Sequence, residues 1–339
     1  MKFKTYTKIT NSYSEKYIEK IREAALDEYH VKWVVTEKIH GANFAFVCDG
    51  NEVKCQKRTS MLEDGENFFD WEHMQDAYEY NILGLYETLK TRDPNLLTVY
   101  VYGELCGGNY PHEKIKQDNL STQIQKGIYY NPSEQFLVFD IFVESECFGS
   151  WLNHSDVVDM CERSNLEHVP IVFTGTLDQC LEFPNEFTTL VPKKYGLPRI
   201  DDNICEGVVI KPFYQQYLQR DRVLIKNKNE KWKEKSRVPR KHKVQHEITV
   251  EQQHWINEIL KYLNEARFQT AVSKIGEPDF KLFGHFVKEI SNDIILEFTE
   301  KRSEELYVDI PNKNDRRIIT KELGKALADF VRENIKKYM

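Results

Sequence analysis

Short apolar, β-type runs separated by polar turn-forming residues dominate residues 31–230. Residues 31–36, 44–48, 53–55, 98–102, 136–143, 207–210 and 223–226 read as strands, each bounded by turn-forming residues. Asp49-Gly50, between the second and third runs, is a hairpin signal. Residues 11–26 and 76–89 repeat their apolar positions every three or four residues and read as helices. Strands and helices do not alternate regularly, so the pattern predicts an α+β fold rather than a doubly wound parallel sheet.

The pattern changes after residue 231. Residues 232–245 are polar and basic, contain Pro239, and read as a linker. Beyond them only helical spacing remains. Phe283, Phe286, Val287, Ile290, Ile294 and Phe298 form one apolar stripe, and Leu323, Ala326, Leu327, Phe330, Val331 and Ile335 form another. The expected organisation is a domain at 1–231, a basic linker at 232–245 and a small all-helical domain at 246–339.

Composition narrows the class. Of the 339 residues 40% are apolar and 12% aromatic, enough to bury a substantial core. No segment approaches the roughly 18 unbroken apolar residues of a membrane span. Met1-Lys2-Phe3-Lys4-Thr5-Tyr6 lacks the apolar stretch of a secretory leader. The seven cysteines are scattered and form no C-x-x-C pair, which argues against zinc fingers and disulfide scaffolds. An intracellular, reducing compartment is expected, the cytoplasm first, with an organelle or a viral origin left open. The net charge is −7, yet twelve Lys and Arg against three acidic residues fall between Lys211 and Lys243. Such a strip can hold a phosphate backbone while the remaining surface stays acidic.

Several phosphate motifs are absent. There is no G-x-x-x-x-G-K-[ST], no G-x-G-x-x-G after a strand, and no H-E-x-x-H. What remains is Glu37-Lys38-Ile39-His40-Gly41-Ala42-Asn43-Phe44, set between two predicted strands. A lysine enclosed by apolar sequence and near other cations is disfavoured as ammonium, which makes a nucleophile. Gly41 would allow a tight turn and close approach of a phosphate. Many loops contain such a lysine and glycine; the weight comes from a series of further motifs in fixed order behind them. Lys57-Arg58-Thr59 comes next, then Tyr102-Gly103-Glu104-Leu105-Cys106-Gly107-Gly108, Gln125-Lys126-Gly127-Ile128-Tyr129-Tyr130 and Phe139-Asp140-Ile141. Glu206-Gly207-Val208-Val209-Ile210-Lys211-Pro212 and Ile225-Lys226-Asn227-Lys228 close the series.

This ordered set resembles the covalent nucleotidyltransferases. His40 and Asn43 make it similar to the RNA ligase 2 family, which includes phage enzymes and kinetoplastid RNA-editing ligases. The resemblance implies a nucleotidyltransferase domain of antiparallel sheets flanked by helices. It implies ATP as cofactor, AMP carried covalently on Lys38, and Mg²⁺ or Mn²⁺. Catalytic roles then fall on Lys38, Arg58, Glu206, Lys226 and Lys228. Nucleotide contacts fall on Glu37, Lys38, Ile39, Asn43, Arg58, Glu104, Phe139, Glu206, Lys211, Lys226 and Lys228. Within that set Glu104 meets the ribose, Phe139 stacks on adenine, and Glu206 has an indirect link to the metal. His40, Lys57, Asp140, Arg267, Asp293 and Glu297 would recognise RNA ends. Arg267, the run Ser273-Lys274-Ile275-Gly276-Glu277, and the pair Asp293 and Glu297 also resemble the tail of the phage enzymes.

The expected activity is ATP-dependent joining of 3′-hydroxyl and 5′-phosphate RNA ends, at nicks in duplex RNA, by a monomer without a membrane anchor. A DNA ligase, a capping-type guanylyltransferase and a non-catalytic RNA-binding relative stay open. The first two usually carry Asp at the position of His40 and an OB-fold in place of a helical tail. Segment 109–123 is longer than in the phage enzymes and nearer the editing ligases. Glu206 and Lys211 are five apart, so strict alternation would put them on opposite faces. Either Lys211 lies past the strand end or a bulge redirects it.

Overall fold

The computed structural model describes residues 1–28, 30–118, 121–232, 249–305 and 313–338. The linker residues 233–245, with their part of the basic strip, and residues 119–120 of the long segment 109–123 lie outside the described residues. The chain divides into two compact units, Met1–Asn229 and Glu230–Met339.

The first unit runs β1 (Thr10–Asn11), α1 (Glu15–Glu23), β2 (Trp33–Glu37), β3 (Ala42–Cys48), β4 (Val53–Lys57), α2 (Trp71–Arg92), β5 (Leu96–Gly107), β6 (Glu134–Ser145) and β7 (Gly149–Trp151). It continues α3 (His154–Arg163), β8 (Ile171–Gly175), α4 (Leu177–Leu181), α5 (Val191–Lys194), β9 (Gly207–Pro212), β10 (Tyr217–Leu218), β11 (Asp221–Arg222) and β12 (Ile225–Lys228). Two five-stranded sheets result, ordered β1-β12-β9-β2-β8 and β4-β3-β5-β6-β7. Pairing is antiparallel throughout both, except that β1 runs parallel to β12. The fold is α+β.

Each sheet buries one face under helices. On the first, Trp33, Val35, Val208, Ile210 and Ile225 pack with Ile18 and Ile21 of α1 and Leu177 of α4. On the second, Phe44, Phe46, Val101, Leu105, Phe136 and Val138 pack with Trp71, Met74, Ile82, Leu85 and Leu89 of α2. Because strand side chains alternate, the other faces carry Thr36, Val209, Lys211, Lys226 and Lys228 on the first sheet. On the second sheet they carry Asn43, Ala45, Tyr102 and Glu104. Lys211 of β9 bonds Asp140 of β6, so these two faces look toward one another.

Several elements depart from the sequence pattern. The first helix starts at Glu15, because Thr10 and Asn11 pair with Ile225 and Lys226 instead. The 98–102 run extends to Gly107, so Glu104 and its glycines lie within a strand; ladders to both β3 and β6 outweigh the low strand propensity of glycine. The short elements α3, β8, α4 and α5 carried no periodicity long enough to predict them. α4 holds its N-terminus with a capping box between Thr176 and Gln179.

The second unit is helical: α6 (Val250–Leu260), α7 (Glu265–Ile275), α8 (Phe283–Glu305) and α9 (Lys313–Ile335). Phe286, Ile290, Ile294 and Phe298 of α8 are buried, as are Leu323, Leu327, Phe330, Val331 and Ile335 of α9. Thr249 caps α6 with Gln252, and Asn264 caps α7 by accepting from the Arg267 amide. Among the described residues no helix is long and apolar enough to cross a membrane.

Candidate active site

Lys38 sits where the chain leaves one sheet for the other, between the end of β2 and the start of β3. Its backbone amide donates to the Gly207 carbonyl at 2.9 Å. Gly207 is in turn registered against Lys228 on β12. Neighbouring strands therefore deliver Lys38, Glu206 and Lys228 side by side. Gly207 has a φ of +140°, and a Cβ there would lie 2.1 Å from the Asn227 carbonyl. Only glycine permits this backbone, which sets Glu206 off the line of β9. Lys211 lies inside β9, so the departure from alternation falls at Gly207, at the start of the strand. Neither reading offered from the sequence places it there.

The Lys38 ammonium meets Glu206 Oε2 at 2.7 Å and the Lys228 ammonium meets Oε1 at 3.0 Å. His40 Nδ1 lies 3.6 Å from Oε2. Burial would raise the Glu206 carboxyl, but Lys38 and Lys228 outweigh it and hold the group well below the usual carboxylate range. Burial also pulls the His40 imidazole below its ordinary value. The Lys38 side chain keeps 19% of its surface exposed. It is both clamped and reachable.

The loop carrying Lys38 is held from several sides. The Tyr130 hydroxyl accepts from the His40 amide at 2.8 Å, and Gln125 Nε2 donates to the Gly41 carbonyl at 3.3 Å. Ile39 is buried beneath them. A Cβ on Gly41 would lie 2.0 Å from the Leu105 carbonyl. The space this glycine saves thus goes to β5, a different use from the approach of a phosphate. Glu37 points away from Lys38: its carboxylate accepts from the Thr189 hydroxyl and from the Leu190 amide at 2.8 Å. Burial raises this carboxyl to about 7 against those two hydrogen bonds.

The second sheet supplies the opposite wall. Glu104 is registered with Asn43, and its Oε1 accepts from the Gly41 amide at 3.2 Å. Burial raises the Glu104 carboxyl to about 7, with the Lys38 charge acting the other way. Burial draws the Arg58 guanidinium down, with Tyr6, Glu104 and Tyr102 acting the other way. On β6 the register jumps: Tyr102 faces Asp140 and Gly103 faces Val138, leaving Phe139 in a bulge. Bulges re-aim side chains. Phe136 and Val138 before it, and Ile141 and Val143 after it, stay in the core under α2, while Phe139 and Asp140 both turn to the site face.

Some expected residues lie apart from Lys38. Lys211 donates to the Phe139 carbonyl at 2.8 Å and to Asp140 Oδ1 at 2.9 Å, with only 4% of its side chain exposed. Asp140 also accepts from the Tyr6 hydroxyl and from Arg222 at 3.2 Å. Burial raises the Asp140 carboxyl, but Arg222 and Lys211 reverse this and hold it well below its ordinary value. Only 1% of the Asp140 side chain is exposed, and Lys211 faces its carboxylate. Lys57 pairs with Glu66 and lies 5.7 Å above the Phe68 ring. Lys226 lies on the site face, registered with Val209. Arg222, Tyr6, Gln125, Tyr130 and Thr189 join the site or its supports without having been singled out as site residues. The two-residue strand of Arg222 had no pattern, and Gln125 and Tyr130 appeared only inside a quoted motif.

In the helical unit Arg267 spans α7 to α8. Its guanidinium meets Asp293 and Glu297 at 2.5 Å each, and its side chain is 1% exposed. Lys274 adds a 2.7 Å contact to Glu289. Asp293 and Glu297, both partly exposed, thus close an ion-pair network with the buried Arg267, whose guanidinium is turned inward.

The chain is similar to several known proteins. RNA-editing ligase 1 of Trypanosoma brucei brucei mitochondria is 28% identical over 226 residues, covering 58% of this chain and 48% of that protein. RNA-editing ligase 2 of the same organism is 26% identical over 230 residues, covering 62% and 55%. The chain thus matches about half the length of these relatives. Among solved structures, a Lys-to-Met mutant of Naegleria gruberi RNA ligase with AMP and Mn has a TM-score of 0.46 at 16% identity, covering 67% of this chain and 56% of that one. Residues 31–228 match the RNA ligase family and residues 246–329 match the T4 RNA ligase 2 C-terminal family. By the first of these matches, which spans more than half of it, the chain belongs to the RNA ligase family.

Proposed function

We propose that this chain is an ATP-dependent RNA ligase that works through a lysyl-AMP intermediate on Lys38. The observation that carries this reading is Lys38 itself, held 2.7 Å from Glu206 and beside Lys228 yet partly exposed. A structural ion pair gains nothing from that exposure, whereas a nucleophile requires it.

Phosphoryl and nucleotidyl transfer depend on positioning and on neutralising phosphate oxygens. Phe139 takes the adenine, Glu104 and Asn43 take the ribose, and Lys226 and Lys228 with Arg58 take phosphates. Lys38 Nζ, once it has released a proton, attacks the α-phosphorus of ATP. The N–P bond forms, the bond from the α-phosphorus to the bridging oxygen breaks, and pyrophosphate leaves. AMP then passes to an RNA 5′-phosphate. An RNA 3′-hydroxyl displaces it and closes the backbone.

Among the described residues no group of three or more His, Cys, Asp or Glu is placed to hold a metal ion. Mg²⁺ is usually bound through one or two carboxylates plus substrate phosphates and waters. Glu206 would help hold, indirectly, an ion that arrives with the triphosphate, and the ion would offset charge on the phosphate oxygens. The RNA is a nicked duplex, read by shape and 2′-hydroxyls. The helical unit serves RNA ends more than AMP loading. All seven cysteines are free, in keeping with a reducing compartment.

The test is incubation with α-labelled ATP and Mg²⁺ followed by denaturing electrophoresis. The wild type takes an acid-labile label and Lys38→Ala takes none. Equal labelling of the two, or none in the wild type, overturns the proposal. Sealing of nicked RNA against nicked DNA, and labelling by GTP, separates RNA ligase from its two enzymatic rivals.

A further inference from the structure

The N-terminal residues precede the stretch that matches the RNA ligase family, which begins at residue 31, yet they tie the two sheets together. At one end the backbone of Lys4 is gripped by Gln56, which accepts from its amide at 3.2 Å and donates to its carbonyl at 2.7 Å. The Tyr102 hydroxyl donates to the same carbonyl at 2.7 Å. Tyr6 then lays its ring against Tyr102, Phe139 and Trp151. All of these anchors lie on or beside the second sheet. At the other end, the Thr10 amide donates to the Leu224 carbonyl at 3.1 Å and the Ser12 amide donates to the Lys226 carbonyl at 2.9 Å. These anchors lie on the first sheet. Only Thr7, Lys8 and Ile9 separate Tyr6 from Thr10.

We propose that residues 4–12 are a staple that sets the spacing between the adenine wall and the phosphate wall, with Tyr6 the positioning residue that braces Phe139. The proposal rests on the nucleotide contacts assigned above to Phe139 and Lys226. Phe139 needs a brace because it occupies a bulge, where no residue of β5 is registered against it. The edge of the Tyr6 ring supplies one, with centroids 4.9 Å apart and planes at 65°. The Tyr6 hydroxyl donates to Asp140, the next residue, so one side chain grips both residues that the bulge turns outward. Burial, then the Asp140 carboxylate, push this phenol well above its ordinary value, so it remains a donor. The far end of the staple bonds the backbone of Lys226 itself.

The experiment measures KM for ATP and kcat of Lys38 labelling on the full chain. Tyr6→Phe retains the ring edge, and its KM is expected within about twofold of wild type, while Tyr6→Leu raises KM roughly five- to tenfold with kcat within about threefold. Inserting Gly-Gly between Lys8 and Ile9 leaves both anchors in place but slackens the link, and raises KM by a similar factor. It decides the matter if Tyr6→Leu fails to fold. Unchanged KM in the slackened chain overturns the staple. So does a fall in kcat without a change in KM, or equal losses in Tyr6→Phe and Tyr6→Leu. Absence of label in the wild type would instead remove the function on which the inference rests.

Discussion

Two buried carboxylates in the first unit each hold two cations, and they differ in what can reach them. Glu206 holds Lys38 and Lys228, and Lys38 keeps 19% of its side chain exposed. Asp140 holds Lys211 and Arg222, whose side chains are 4% and 2% exposed. The ionic pattern is shared, and in both places the cations overcome the effect of burial on the carboxyl. What separates them is access. A sealed cluster can fix geometry but cannot take a substrate, whereas a cluster whose two cations stay partly open, Lys38 at 19% and Lys228 at 13%, can exchange an internal partner for a phosphate. Arg267 presents the inverse arrangement in the helical unit, one buried cation shared by two carboxylates.

This contrast can be broken at either end. Asp140→Ala leaves two buried cations without their anion and should remove about 3–5 kcal/mol of stability, read from a urea midpoint. A loss below about 1 kcal/mol would mean the sealed cluster holds nothing together. Glu206→Gln should slow lysyl-AMP formation roughly a hundredfold or more while losing less than half the stability lost by Asp140→Ala. If the two variants lost stability equally and Glu206→Gln still loaded AMP, the distinction by access would fail. Arg267→Met should lower the stability of the helical unit by about 2 kcal/mol, because Asp293 and Glu297 are partly exposed and can hydrate. AMP loading on Lys38 should hold; a proportional drop would show that the units do not divide the work.

The smallest effect concerns pH. Glu104 is protonated below about 7 and charged above it. A ribose hydroxyl needs an acceptor, so kcat/KM for AMP loading should rise with pH from 6 to 8, by up to about tenfold. Glu104→Gln should flatten that rise, and an unchanged profile would show that Glu104 does not meet the ribose.

Much of the fold could be read directly. Residues 31–36 and 44–48 are short, almost wholly apolar runs bounded by turn signals because both faces of β2 and β3 are buried, and the structure places β2, β3 and β4 at the three runs read as strands. The stripes from Phe286 to Phe298 and from Leu323 to Ile335 gave the long helices because those stripes are buried. Arg222 stayed hidden because it sits on a two-residue strand amid a basic run, where periodicity carries no information. The bulge at Phe139 left a faint trace: Phe136 and Val138 share a phase that Ile141 and Val143 no longer keep. A pattern broken by one residue is legible only when the partner strand is known.

By itself the sequence determined the element types, the α+β class, and the ordered residues that make Lys38 a candidate nucleophile. These depend on local spacing and residue chemistry, which a linear reading preserves. The tertiary structure decided which cations share which carboxylate. It set Glu206 beside Lys38 through Gly207, drew Lys211 and Asp140 into a sealed cluster, and turned Arg267 inward. Pairing and burial are set by strand register and by sheets meeting face to face. Residues more than a hundred positions apart then share one site, and local spacing holds no record of that.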